Sequence, residues 1–542
     1  MKVEYLILGI FACLLFAAHT LCLTKKRLIN FAISGLFSAG ALVLFWQYGP
    51  KYGLEASPLH GLYLTAIFVI IALYGYFFGS VAYEQEIANT KTVFRLESFR
   101  GKKIEFGNPY DNFLVYAGAN AGKTKSIGKP LLEQYIQHGF AGFIYDYKDF
   151  DYTKTAYNMI KKHNYKHPFY HISFSDVNRT YRFNPIKPSV LDDENLLVQL
   201  MDDVLGAYLG EGAKKDEWYF GALGILRGVA VRFFKDYPEY CTLPHIVNFI
   251  IHSERKHLYD FLAAGVESKA LASGYLDAIG SERTQASILS TLTNYISALA
   301  FNKNIAFVLS GDDFDFNLID PECPKMIAVS NSYAIESTIS PIIALMISVS
   351  SRHFSMKNKV PFVFFWDEAT TFKIRDFEKM PSVLREYLCS FVFLTQSGAK
   401  IEKNYGKLDR SSIESNFSNL FLGRTKDTEA LKNYGMFFSK KDEFRQTDSY
   451  SSSNHGENLG RSVTRVEKER YEPHFFTGLQ AGEFVGSAAH SNRSEFHLRF
   501  KQYKNEETEE LPTIHCVTKN MIEQNYQRIL QDIKNIGCQV MA

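Results

Sequence analysis

Ala117-Gly118-Ala119-Asn120-Ala121-Gly122-Lys123-Thr124 follows a short apolar run, Asn112–Tyr116, and opens a stretch of helical periodicity. Small residues in such a turn let successive backbone N–H groups curl around phosphate oxygens, and the helix that starts there adds its positive dipole end. Lys123 is placed to reach the β- and γ-phosphates of a nucleotide, and Thr124 to hold Mg²⁺. The first position departs from the usual G-x-x-x-x-G-K-[ST] pattern, with Ala117 in place of glycine. Taken alone, the stretch also reads as a glycine-rich turn with a solvated lysine.

A second motif changes the weighting. Val363-Phe364-Phe365-Trp366-Asp367-Glu368 is an apolar strand ending in two acids. Asp367 at the strand's end suits Mg²⁺ held through water, and Glu368 suits orienting and deprotonating an attacking water. By themselves the two acids would also fit as caps of the helix that follows. Both motifs in one parallel sheet point to ATP hydrolysis, with the triphosphate gripped at the turn after one buried strand and split by acids ending its neighbour. A further buried run, Phe391–Leu394, ends in Thr395-Gln396, an amide suited to sensing the γ-phosphate. Arg385, shortly before it at a helix end, reads equally as an arginine finger reaching across a subunit boundary or as a helix-surface charge.

Working outward, Gly142–Tyr145 (ending in Asp146), Lys325–Ser330 and Pro361–Trp366 join the other two runs as short continuous apolar segments. Such runs separated by helices indicate a parallel sheet covered on both faces. Leu191–Phe307 holds no convincing strand. Leu196–Leu209, Trp218–Phe234, Leu243–His252, Leu258–Val266 and Ile288–Leu299 instead recur at helical spacing. The expected organisation is an α/β P-loop nucleotide-binding domain over 86–190 and 305–507, an inserted all-α domain over 191–304, and a polar tail over 508–542 with one amphipathic helix, Ile522–Ile536. Gln446–Arg470, rich in Ser, Asn and Gly and then charged, reads as a mobile loop.

The 542 residues carry a net charge of +2 and are 46% hydrophobic, which excludes polybasic, acidic-disordered and low-complexity chains. Any nucleic-acid contact must come from local patches or a pore. The seven cysteines are scattered without a CxxC pair, so neither a zinc ribbon nor a disulfide framework is suggested. His163, His167 and His171 are spaced by four, but Pro168 interrupts the helix and no metal site is expected there. At the N-terminus, Tyr5–Leu23, Leu28–Tyr48 and Gly61–Tyr83 are uncharged and near the ~20 residues a membrane span needs. Lys25-Lys26-Arg27 and the basic residues after Tyr83 place those segments in the cytoplasm, giving a transmembrane helical anchor over 1–85 and a cytosolic remainder. A cleaved signal peptide for the first stretch, and a two-span anchor, are the alternatives.

With these motifs in hand, the sequence resembles the type IV secretion coupling proteins, the membrane-anchored ATPases of bacterial conjugation. The resemblance includes the anchor, the loop 117–124, Ile144-Tyr145-Asp146-Tyr147-Lys148 with Tyr152–Ala156 behind it, and Arg182-Phe183-Asn184-Pro185 before the helical region. It continues through Ser281-Glu282-Arg283-Thr284, Asp313-Phe314-Asp315, Phe365–Glu368, Thr395-Gln396 and Asn404-Tyr405-Gly406. It implies a RecA-like fold, a homo-hexameric ATP- and Mg²⁺-dependent motor in the bacterial inner membrane, and a trans-acting role for Arg385, which matches the family's arginine by its spacing to Gln396. The implied partners are a relaxase, single-stranded DNA and the secretion channel through which that DNA is pumped. A pore would draw on Lys400, Lys403, Lys407, Arg410, Lys440, Lys441, Arg461, Arg465, Lys468 and Arg470, each of which also reads as part of a solvated charged face. Two rivals share the ATP site: a secretion receptor or scaffold that recruits protein substrates through the helical domain without pumping DNA, and a DNA pump for chromosome segregation.

Overall fold

The computed structural model describes residues 93–209, 215–357, 359–453, 456–504 and 509–539, with isolated positions 66, 69 and 70. The expected anchor, with its three spans, otherwise lies outside the described residues. Phe94–Glu105 and Pro109–Ala542 form one compact unit. The strands, in chain order, are β1 (Phe94–Glu97), β2 (Lys103–Phe106), β3 (Phe113–Tyr116), β4 (Ala141–Asp146), β5 (Phe169–Ser173), β6 (Met326–Ser330), β7 (Phe362–Asp367), β8 (Cys389–Thr395), β9 (Asn419–Gly423), β10 (Lys441–Ser453), β11 (Gly456–Lys468), β12 (Glu483–Ala488) and β13 (Glu495–Arg499).

Nine of these form one sheet in the order β13-β12-β9-β3-β8-β7-β4-β6-β5. From β9 to β5 every neighbouring pair is parallel, and β12 and β13 add an antiparallel edge. Every residue of β3, β4, β6, β7, β8 and β9 is buried, as a sheet with helices on both faces requires. The expected central parallel sheet is therefore present, but the loop-bearing strand and the acid-bearing strand are not neighbours: β8 lies between β3 and β7. All three strands run the same way, so their C-terminal tips share one edge, where ligands of open α/β sheets bind.

A single π-type turn, Lys123–Gly128, leads into α1 (Lys129–Gln137), and α2 (Asp151–Lys162) follows β4. Between β5 and β6 the described chain is helical: α3 (Glu194–Gly206), α4 (Glu217–Asp236), α5 (Leu243–His252), α6 (Arg255–Ala264), α7 (Glu282–Ala300) and α8 (Lys303–Leu309), with shorter turns between them. Side-chain caps explain several starts. Asp193 accepts from the Asn195 N–H at 2.8 Å, Asp216 from Tyr219 at 2.9 Å, and Asn302 from Ile305 at 3.1 Å. α9 (Glu336–Arg352) packs on α3, and the helical region and the sheet share one continuous hydrophobic core. Tyr333–Arg352, which contains α9, has the length and apolarity of a membrane span, yet most of it is buried inside this fold.

The segment read as a mobile loop is instead a long antiparallel hairpin, β10 and β11, paired without a break from Lys441↔Lys468 to Ser453↔Gly456. Ser- and Asn-rich composition hid it, because the stabilising pairs are cross-strand and depend on register. Among them are Arg465–Asp442 at 2.6 Å and Lys468–Glu443 at 2.6 Å. β5, β9, β12 and β13 also went unread; each is short, and β5 and β9 carry polar residues at their ends. α10 (Gly398–Tyr405) and α11 (Lys407–Ser415) follow β8, and after β13 the chain returns along the far edge to α12 (Lys519–Gln539), longer than the expected helix. Tyr526, Ile529, Ile533 and Ile536 of α12 are buried, and Tyr526 donates to Asn248 Oδ1 at 3.1 Å.

Candidate nucleotide site

The loop 117–124 wraps the tip of β3 and is pinned from both sides. Gly118 N–H donates to the Arg424 carbonyl at 2.9 Å, and Gly482 N–H donates to the Ala121 carbonyl at 2.8 Å. Gly122 has φ 97°, and a Cβ there would sit 2.5 Å from the Gly482 backbone nitrogen, so only glycine fits. The departure at Ala117 has a local answer. A Cβ on Gly423 of the adjacent β9 would lie 2.9 Å from the Ala117 methyl, so that glycine leaves the space the alanine occupies.

The loop lines a cavity of about 560 Å³ together with Tyr147, Lys148, Asp151, Glu368, Gln396 and Gln502. Lys123 reaches across it, its Nζ 3.0 Å from Glu368 Oε2 and 3.9 Å from Asp367 Oδ1. Lys148 Nζ lies 3.9 Å from Asp367 Oδ2, and Gln396 Nε2 donates to Glu368 Oε2 at 3.4 Å. The residues read from the sequence as phosphate loop, acid pair and sensor amide are thus gathered at one place. Thr124 lines the same cavity.

Electrostatics divide the two acids. Burial raises the Asp367 carboxyl above its ordinary range, with Lys123 and Lys148 opposing. Both Asp367 carboxylate oxygens are buried and accept no hydrogen bond. A desolvated carboxylate that accepts no hydrogen bond, close to a phosphate loop that carries a threonine, is the donor set a hard divalent cation takes. Burial works on Glu368 in the same upward sense, but Lys123 and Lys400 outweigh it and hold the carboxyl below its ordinary range. Glu368 also has φ 51°, a strained backbone for a non-glycine residue at the tip of β7.

Arg385 stands elsewhere. It precedes β8, and its Nη1 lies 3.9 Å from Asp111 Oδ1 before β3. Spanning β8 from there to Gln396 takes roughly 20 Å at ~3.3 Å per residue, so Arg385 does not reach the cavity of its own chain. Two further expectations change. Arg410 is mostly buried between Glu402 and Glu414, each at 2.9 Å, and is no surface contact for DNA. Lys400 is held by Glu368 Oε1 at 2.8 Å. Lys148 and Lys400 were not read as neighbours of the acid pair. The signal for Lys148 was its place two residues after Asp146 at a strand tip, whereas the signal for Lys400, on α10 (Gly398–Tyr405), exists only in three dimensions.

Residues 361–473 match the family model described as the TraM recognition site of TraD and TraG. No curated protein sequence matches the chain. Among solved structures, the unbound monoclinic form of the bacterial conjugative coupling protein TrwB, without its first 70 residues, aligns with a TM-score of 0.61 at 14% identity, over 79% of this chain and 94% of that one. The plasmid coupling protein TrwB in complex with ADP and Mg²⁺ aligns at TM-score 0.57 and 14% identity, over 73% and 87% of the two chains. Its complex with a non-hydrolysable ATP analogue aligns at 0.56, with the same identity and coverage. The chain shares its fold with these coupling-protein structures.

Proposed function

We propose, from the premise that the chain is a relative of the type IV coupling proteins, that it is a membrane-anchored ATPase that links a relaxosome to a secretion channel and moves single-stranded DNA through it. The observation that carries this reading is Lys123 lying between Asp367 and Glu368 in the cavity built by loop 117–124. Backbone N–H groups of 118–123 would hold the phosphates of ATP, Thr124 and Asp367 would hold Mg²⁺, and Lys123 would turn from Glu368 to the γ-phosphate. Bound Mg²⁺ supplies neutralisation of phosphate charge. Glu368 orients the attacking water and takes its proton, Gln396 holds the γ-phosphate end of the cavity, and Arg385 acts on the site of a neighbouring subunit. The ring is a homo-hexamer, with the nucleotide domain (86–190 and 305–507) and the helical domain (191–304) in the cytoplasm beneath the inner-membrane anchor. Residues 361–473 carry recognition of a relaxosome protein, as the family description of that segment suggests.

Lys123→Ala and Glu368→Gln should each lower ATP hydrolysis by the purified full-length chain by about 100-fold or more, and abolish conjugative transfer while leaving membrane insertion intact. Glu368→Gln should still bind nucleotide. Wild-type transfer in either variant would remove the motor and favour a receptor that recruits protein substrates.

A further inference from the structure

Glu368 and Gln396 form a wall between two cavities, and only one of them is the nucleotide cavity. The second, of about 620 Å³, opens on the far side and is lined by Tyr147, Lys373, Lys400, Lys403 and Asn404, among others. Lys373 and Lys403 form no ion pair among the described residues. Of the two acids in this cavity, Glu336 accepts from the Tyr147 hydroxyl at 2.6 Å and Glu368 accepts from Lys400 at 2.8 Å. The cavity therefore has an excess of positive charge. Lysines grouped along an open cavity hold the backbone phosphates of a single strand without reading sequence.

Lys400 joins this cavity to hydrolysis. Glu368 has two lysine partners, one on each side: Lys123 at 3.0 Å from the nucleotide side and Lys400 at 2.8 Å from the other. A phosphate in the first cavity competes for Lys123 but leaves Lys400 in place. A carboxylate held by an ammonium group is not free to orient water. Lys400 is 43% exposed, so its head group can swing into the second cavity without unpacking the core.

We propose that the second cavity binds the phosphodiester backbone of single-stranded nucleic acid, and that Lys400 leaves Glu368 for a backbone phosphate there, so that occupancy of this cavity releases the glutamate for hydrolysis. Lys400 is then a positioning residue that acts through Glu368, and the proposal rests on the reading of the neighbouring cavity as an ATP-hydrolysing site.

The test uses the full-length chain in lipid nanodiscs with ATP and Mg²⁺, with and without an oligothymidylate. Wild type should be stimulated in kcat rather than KM. Lys400→Met should raise the unstimulated rate by about fivefold, the upper range for a half-exposed ion pair, and respond little to the oligonucleotide. Lys400→Arg should restore both the low basal rate and the stimulation. Lys373→Met with Lys403→Met should weaken binding of fluorescent oligothymidylate and shift stimulation to higher concentration. A Lys400→Met chain with wild-type basal rate and stimulation overturns the proposal, as does a wild-type chain that hydrolyses ATP but ignores the oligonucleotide. A wild-type chain that hydrolyses no ATP in either condition overturns the nucleotide reading itself, a result distinct from both.

Discussion

Asp146 shows how one residue carries charge into the interior of this fold. It is fully buried at the tip of β4, where it accepts from the Thr153 N–H and hydroxyl, both at 2.8 Å, and from the Lys148 N–H at 3.1 Å. Burial nevertheless pushes its carboxyl up from 3.8 to about 6, and the facing Asp367 adds to the rise. The folded state therefore holds this proton more tightly than the unfolded chain does. The resulting stability is present below the unfolded value and is lost as pH rises through the folded one. Asp146→Asn removes that titration. Its stability relative to wild type should improve between about pH 4 and about pH 7, by up to ~3 kcal/mol. Melting temperatures of both chains across that range check this, and a constant difference would show that Asp146 does not titrate there. Lys123, Asp367 and Glu368 were legible as a group in the sequence, because the tips of parallel strands meet at one edge, whereas Asp146 was legible only as the end of a strand. Lys400 was not legible in that group, since its approach to Glu368 depends on α10 (Gly398–Tyr405) meeting the loop after β7, where Asn404 donates to the Thr370 carbonyl at 2.8 Å.

Among the elements, α12 is the expected amphipathic helix, but it is tied more deeply into the fold than a polar tail implies. A polar tail with an amphipathic stripe suggests a solvated appendage, yet its apolar face is part of the common core. Ile529 is fully buried, Asp532 lies 3.4 Å from His245 Nε2, and Asn525 accepts from Arg182 Nη2 at 3.2 Å. The segment before it donates on the other side, the Val517 N–H to Asn178 Oδ1 at 2.8 Å. The tail thus ties α5 and α8 to the end of the sheet that carries β5. Ile529→Ala should cost roughly 2–4 kcal/mol through the cavity it leaves, read as a lower melting temperature. If stability were unchanged, the helix would be a detachable appendage. The β10–β11 hairpin is the opposite case: composition suggested a mobile segment, and register made it a ribbon.

Across the whole molecule, the sheet separates Arg385 from the nucleotide cavity of its own chain by the length of β8, as the proposed action across a subunit boundary requires. Arg385→Ala should abolish hydrolysis while nucleotide binding persists. Co-assembly of Arg385→Ala subunits with Glu368→Gln subunits, each inactive alone, should restore activity at roughly a quarter of the interfaces by random mixing. ATP hydrolysis by the mixed assembly is the measurement, and a mixture as inactive as its parts would exclude a trans-acting Arg385.

By itself the sequence determined the candidate site's motifs and the kind of sheet: a glycine- and alanine-rich loop with a lysine after one buried strand, an acid pair after another, and apolar runs too short and continuous for anything but strands covered on both faces. These are local signals, set by residues adjacent in the chain. Only the tertiary structure decided that β8 intervenes between the two motifs, that Gly423 makes room for Ala117, that Arg410 is internal, and that Lys400 grips Glu368 from a second cavity. Each of these depends on which distant strands and helices come to lie side by side, and strand order and side-chain approach across a fold leave no periodic trace in the residues that make them.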